Sequence, residues 1–135
     1  MSAQKNLELA QAFLGKLGQG DAEGVAALFA EDAEWDIAGD VGALPWLGKK
    51  RGRAAVVDFI HDSANLIERL KLEVHDILAG EQRAVILGEL ASRYKPNGKV
   101  METAFAVVLQ ISDNQITHYR MFEDSFAVSQ ATRAA

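Results

Sequence analysis

Between Gly20 and Ile37 the chain reads GDAEGVAALFAEDAEWDI, and the spacing of its apolar residues changes from helical to alternating within this one stretch. Asp21 is placed to cap a helix over residues 21–29, with Val25, Ala26, Leu28 and Phe29 at helical spacing behind it. Ala33, Trp35 and Ile37 then alternate with Glu34 and Asp36, so the next element is a strand with one face to bury. Such a chain has to pack a helix and the apolar side of a strand tip onto one core.

The flanking sequence extends that pattern. Residues 4–18 read as a first helix, with Leu7, Ala10, Leu14 and Leu17 in one stripe, Phe13 beside it, and Gly18 and Gly20 as the stop. Residues 39–52 read as a glycine-rich loop carrying Pro45 and an exposed Trp46, and residues 53–70 as a third helix burying Val56, Val57, Ile60, Ala64, Ile67 and Leu70. Four strands follow at 71–79, 83–95, 99–112 and 115–127, with Pro96-Asn97-Gly98 and Ser112-Asp113-Asn114-Gln115 as hairpin turns. Helices first and a strand meander afterwards predict an α+β fold: a cone-shaped, curved antiparallel or mixed sheet wrapped around three N-terminal helices. Strands of about twice the common length must curl, and a curled sheet with helices across its mouth encloses a hollow. That hollow is either a ligand pocket or a space that side chains fill.

Composition narrows the functions open to this chain. With 135 residues and 49% hydrophobic content it supports one core. Its net charge of −5, from 19 acidic and 14 basic residues, argues against nucleic acid as a partner. The run Lys49, Lys50, Arg51, Arg53 reads as a solvated loop and helix start. The absence of cysteine excludes disulfides and thiolate chemistry, and His61, His75 and His118 fall on separate elements, so neither a metal site nor a cofactor is expected. No apolar stretch is long enough to span a bilayer, and no basic leader precedes an apolar run. The expectation is a cytoplasmic protein without membrane contact.

The segment FAEDAEW, the helix start GRAAV and the last strand ITHYRMFED, in this order of elements, resemble the nuclear transport factor 2-like superfamily, in particular its SnoaL-like, limonene epoxide hydrolase-like and ketosteroid isomerase-like branches. The resemblance covers nearly the whole chain and implies a single SnoaL-like domain over residues 1–135, a cystatin-like α+β roll. It implies a ligand pocket lined by Phe13, Trp35, Ile37, Ile60, Ser63 and Ile67, together with Gly88, Leu90, Thr103, Phe105, Tyr119 and Met121 from the strands. The motifs are specific for the fold and weak for function, because one fold hosts many chemistries.

Carried over position by position, the best-known activities lose their residues. Where the isomerase-like pattern has a tyrosine, a base aspartate and a second acid, this chain has Phe13, Ile37 and Phe105 or Val107. Where the epoxide hydrolase-like pattern has its carboxylates, arginine, tyrosine and asparagine, it has Leu90, Gly88, Met121, Trp35 and Ile37. Apolar side chains cannot deprotonate water or protonate an epoxide oxygen.

Four polar residues remain as acid or base candidates. Tyr119 and Glu123 share a face of the last strand with Thr117 and Met121, and by resemblance that face looks into the cavity. Tyr119 can donate to a ligand carbonyl, and a desolvated Glu123 can act as a base, unless the one is packed in the core and the other reaches water. His61 borders the buried stripe of the third helix and reads either as a titrating group or as a structural one. Asp40 lies in a loop that can fold over the pocket with Trp46 as a lid, or is a solvated carboxylate. Asp124 closes the last strand or caps the tail.

The opposite face of the sheet, expected to carry Ile86, Ala104, Ala106, Val108, Ile116 and Phe122, has no element left to cover it. A second copy is the expected cover, as the superfamily resemblance also implies, giving a homodimer. Two readings stay open. One is a protein that binds a hydrophobic polyketide, steroid or terpenoid-like compound, either as a binder alone or as an isomerase, cyclase or hydrolase. The other is a non-catalytic interaction or dimerisation domain.

Overall fold

In the computed structural model, which describes residues 2–133, helix α1 (Ala3–Gly18) starts at Ser2, whose hydroxyl accepts the Lys5 N–H at 3.1 Å. Its buried stripe is Asn6, Leu9, Ala10 and Phe13, rotated by about one residue from the expected face, so Leu7, Leu14 and Leu17 are half-buried. The Asn6 amide, fully buried, donates to the Gly80 carbonyl at 2.9 Å and fastens the helix to the turn between two strands. Asp21 caps α2 (Ala22–Ala26) through the Gly24 N–H, as expected, yet this helix is only one turn and a half long. It ends early because β1 (Phe29–Ile37) already begins at the fully buried Phe29, which pairs with Ile116.

The expected loop 39–52 contains a short strand, β2 (Gly48–Arg51), antiparallel to β1. Its GKKR sequence has no apolar alternation, and its register sets Arg51 opposite Glu34 and Lys49 opposite Asp36. Two residues of the basic run thereby face acids, Lys50 stands opposite Trp35, and Arg53 donates to the Phe29 carbonyl at 2.9 Å. Helix α3 (Arg53–Leu66) stops four residues short of the expected end. Ile67 opens strand β3 (Ile67–Ala79) opposite Tyr94, so sheet pairing overrides a helical spacing that continued to Leu70. Strands β4 (Arg83–Tyr94), β5 (Val100–Ser112) and β6 (Gln115–Glu123) complete the meander. The β5–β6 turn places Asp113 at φ 52° and Asn114 at φ 60°, the pair of positive values that a two-residue hairpin of primed type demands. Residues expected to prolong the last strand instead form α4 (Ser125–Thr132), capped by the Asp124 carboxylate on the Ala127 N–H at 3.0 Å.

The α+β class and the cone hold; the described residues form four helices, where three were expected, and six strands in the order β2-β1-β6-β5-β4-β3, of which only β1 and β6 run parallel. The sheet is not closed. Register shifts insert one extra residue at Leu70 and at His75 in β3 and at Thr117 in β6, and such bulges bend the sheet around the helices. They also re-aim side chains. Ile116, expected on the outer face, is fully buried because Thr117 takes up the extra position. Ile86, expected there too, shares the inward parity of Gly88 and Leu90 and is fully buried. Ala104, Ala106, Val108 and Phe122 do lie outside.

Candidate functional site

The concave side of the sheet and the helices enclose a cavity of about 110 Å³. Phe13, Leu14 and Leu17 of α1 and Phe59 of α3 form one wall. The sheet contributes the other, with Ile86, Leu90, Met101, Phe105, Val107 and Met121 among its apolar residues. Trp46, expected exposed, is buried at 7% and lines the same space. Its carbonyl accepts the Trp35 indole N–H at 3.0 Å, and its ring meets Phe59 edge-on at 5.6 Å. It is a fixed wall, which is why a loop so rich in glycine can follow a settled path.

Four polar side chains reach this lining: Arg69, Ser92, Tyr119 and Glu123. Tyr119 lies flat on Trp35, with ring centres 4.3 Å apart and 12° between planes, and is further held by Phe13 at 5.9 Å and Phe29 at 6.3 Å. Its hydroxyl donates to the Met121 sulfur at 3.7 Å, a weak acceptor that a ligand oxygen can replace. Burial first, and then the negative charge of Glu123, hold that hydroxyl above the ordinary tyrosine range, with Arg69 opposing. It therefore stays protonated at any ordinary pH and serves as a donor. Burial, reinforced by the neighbouring Asp124 carboxylate, pushes Glu123 up to about 7. Near neutrality Glu123 exists in both protonation states, the condition under which a carboxyl both takes and returns protons.

The other candidate residues fall inside, behind and away from the cavity. Phe13, Ile67, Leu90, Phe105 and Met121 line the cavity beside Tyr119 and Glu123. Trp35 and Ile37 are buried behind it, Trp35 at the back of Tyr119. Gly88 leaves room for the Phe105 ring, and Thr103 is occupied by donating to the Ala104 carbonyl at 2.7 Å and accepting the Asp124 N–H at 2.8 Å. Ile60, Ser63 and His61 lie outside the cavity along a groove on α3, where Ser63 donates to the Ile60 carbonyl at 3.1 Å. Asp40 is also elsewhere, accepting from the buried Ser129 hydroxyl at 2.7 Å and so clasping the loop to α4. Among the separate histidines, His75 stands with its Nε2 3.0 Å from Glu89 and 3.7 Å from Glu73 on the exposed outer face.

Arg69 was not among the candidates, since the helical spacing through Leu70 hid it. The run Leu70, Leu72, Val74 carries the alternation that would have started the strand early enough to place it.

The family model described as a SnoaL-like domain matches residues 10–119. No curated protein matches the chain. An NTF2-like protein from Burkholderia xenovorans LB400 is 28% identical, with 98% of this chain and 99% of that one covered and a TM-score of 0.89. TerC co-crystallised with polyporic acid is 19% identical over 96% of this chain and 99% of its own, with a TM-score of 0.82. An LEH-like epoxide hydrolase from M. tuberculosis is 18% identical over 96% of this chain and 90% of that one, with a TM-score of 0.71. At such identities the last two share the fold.

Proposed function

The chain belongs to the SnoaL-like domain family, and from that premise we propose that it binds a hydrophobic small molecule in the cavity and moves a proton on it. Glu123 is the proton-exchanging group and Tyr119 the hydrogen-bond donor. The observation that carries this reading is the pairing of these two groups in an otherwise largely apolar wall. By the resemblance drawn from the sequence, the positions matching the isomerase and epoxide hydrolase patterns are apolar here, and the proposed reaction uses a different acid–base pair. Glu123 as carboxylate takes a proton from the carbon next to a ligand carbonyl, Tyr119 stabilises the enolate oxygen on which charge develops, and the protonated Glu123 returns the proton to the same carbon or, where the ligand carries a β,γ double bond, to the γ carbon, which shifts that double bond into conjugation.

Deuterium exchange tests this. A panel of hydrophobic ketones incubated with the protein in D₂O is expected to gain deuterium beside the carbonyl, read by proton NMR. Glu123→Gln is expected to reduce that rate by about 100-fold or more, and Tyr119→Phe by roughly 10²-fold with little change in thermal midpoint. Exchange that persists unchanged in Glu123→Gln would remove Glu123 from the mechanism.

The outer sheet face supports a second reading, that the domain associates with another copy of itself. Leu78 is 53% exposed and Phe122 45% exposed on a face that also carries Ala104, Ala106 and Val108. A homodimer covering this face is compatible with ligand binding on the concave side. Sedimentation equilibrium of the full chain is expected to give twice the monomer mass, and a monomer at high micromolar concentration would dismiss the dimer. Among the described residues no helix is long and apolar enough to cross a membrane.

A further inference from the structure

Beside the cavity runs a groove of about 340 Å³, between Leu17–Gly20 at the end of α1 and Ile60–Ala64 on α3. The groove and the cavity share Leu17, Ile67 and Arg69, which form the boundary between them. Size makes that boundary matter. An apolar cavity of roughly 150 Å³ accommodates one benzene, so a space of about 110 Å³ takes at most a single ring. A larger ligand extends beyond this space, and the groove adjoins it through three shared lining residues.

The charged side chain there is a guanidinium. Arg69 heads a cross-strand row with Ser92 and Met101, all three lining the cavity. Among the described residues no carboxylate lies within ion-pair distance of Arg69, and the nearby Glu68 is taken by Arg93 at 3.2 Å. The groove contains Arg69 and His61 and no acidic residue, in a chain whose net charge is −5. A guanidinium without a partner, at the threshold of an apolar chamber, offers two parallel N–H donors to a carboxylate.

We infer that the groove is the way into the cavity and that Arg69 holds the anionic end of a ligand whose apolar end lies inside, which makes the ligand class a hydrophobic organic acid. The inference rests on the reading that the cavity binds a ligand, and it does not require catalysis. Ser92, next to Arg69 in the row, is placed to support the same end of the molecule.

The test uses pairs that differ in charge, ω-phenylalkanoates from phenylacetate to 6-phenylhexanoate and their methyl esters, titrated calorimetrically into the 135-residue chain. At least one acid is expected to bind about tenfold more tightly than its ester. Arg69→Gln is expected to bring that acid to the affinity of its ester while leaving the ester unchanged, and Arg69→Lys to retain part of the preference. Ala64→Trp, at an exposed position in the groove, is expected to slow association of acid and ester severalfold in stopped flow. Equal binding of acid and ester, or a preference that survives in Arg69→Gln, overturns the role of Arg69 and leaves the cavity reading intact. Unchanged association in Ala64→Trp overturns the groove as entrance. Absence of binding by every member overturns the cavity reading as well.

Discussion

Alanine in place of Gly88 is expected to cost at least about 3 kcal/mol of stability, measured as a lowered urea midpoint at unchanged m-value. A Cβ at this position would overlap the Glu73 carbonyl oxygen and sit 2.9 Å from Cζ of Phe105. The ring could rotate, but the carbonyl belongs to the facing strand and cannot move without separating β3 from β4. Gly88 pairs with Val74 on one side and Phe105 on the other, next to the bulge at His75. The substitution therefore strains the bend that shapes the cavity, and it displaces a cavity wall at the same time. Gly15→Ala is the matched control: a Cβ there meets nothing within 4 Å, and helix propensity makes a gain of about 0.5–1 kcal/mol the expected result. Equal stability of Gly88→Ala and the wild type would mean that β3 and β4 do not approach as described.

The second large effect depends on pH. Glu123 titrates at about 7 in the folded protein, against 4.5 for the ordinary group. The folded state thus holds this proton more tightly than the unfolded chain does. The associated stability is fully present below about pH 4.5 and is lost as pH rises through 7, because both states then carry the charge and only the folded one buries it. Glu123→Gln removes the penalty. It is expected to change stability little at pH 4 and to raise it by roughly 2–3 kcal/mol at pH 9, with part of this offset because Glu123 is not fully enclosed. Urea unfolding of both proteins from pH 4 to 9 measures the difference, and two parallel curves would show that Glu123 titrates as an ordinary surface glutamate.

Elements that follow local rules were readable in the sequence. The Asp21 cap, the inward alternation of Ala33, Trp35 and Ile37, and the Asp113-Asn114 hairpin depend on neighbours in the chain and stand where the spacing places them. The inward face of Tyr119, Met121 and Glu123 was readable because no bulge interrupts those five residues. What depended on distant partners was hidden. Ile67 through Leu70 suit a helix, and only pairing with Arg93 and Tyr94 makes them a strand and turns Arg69 toward the site. Strand β2 is held by backbone pairing to β1 and by opposite charges, which leave no apolar period to detect. The bulges at His75 and Thr117 insert a residue without a glycine to announce it, so parity arguments failed for Ile116. Trp46 is buried because its loop folds back over Phe59 and Trp35, a contact between segments that no local pattern encodes.

A hydrophobic molecule that occupies the interior cavity must be displaced when that cavity is filled by a side chain. Leu90 is half-buried in the lining, so Leu90→Trp places a larger side chain into the void. The measurement is a calorimetric titration of a neutral aromatic ligand such as methyl 3-phenylpropanoate into the wild type and into Leu90→Trp, with cooperative unfolding of the variant checked alongside. The predicted result is saturable binding to the wild type that weakens at least about tenfold in the folded variant. Binding of the same strength to both proteins, or to neither, would contradict it.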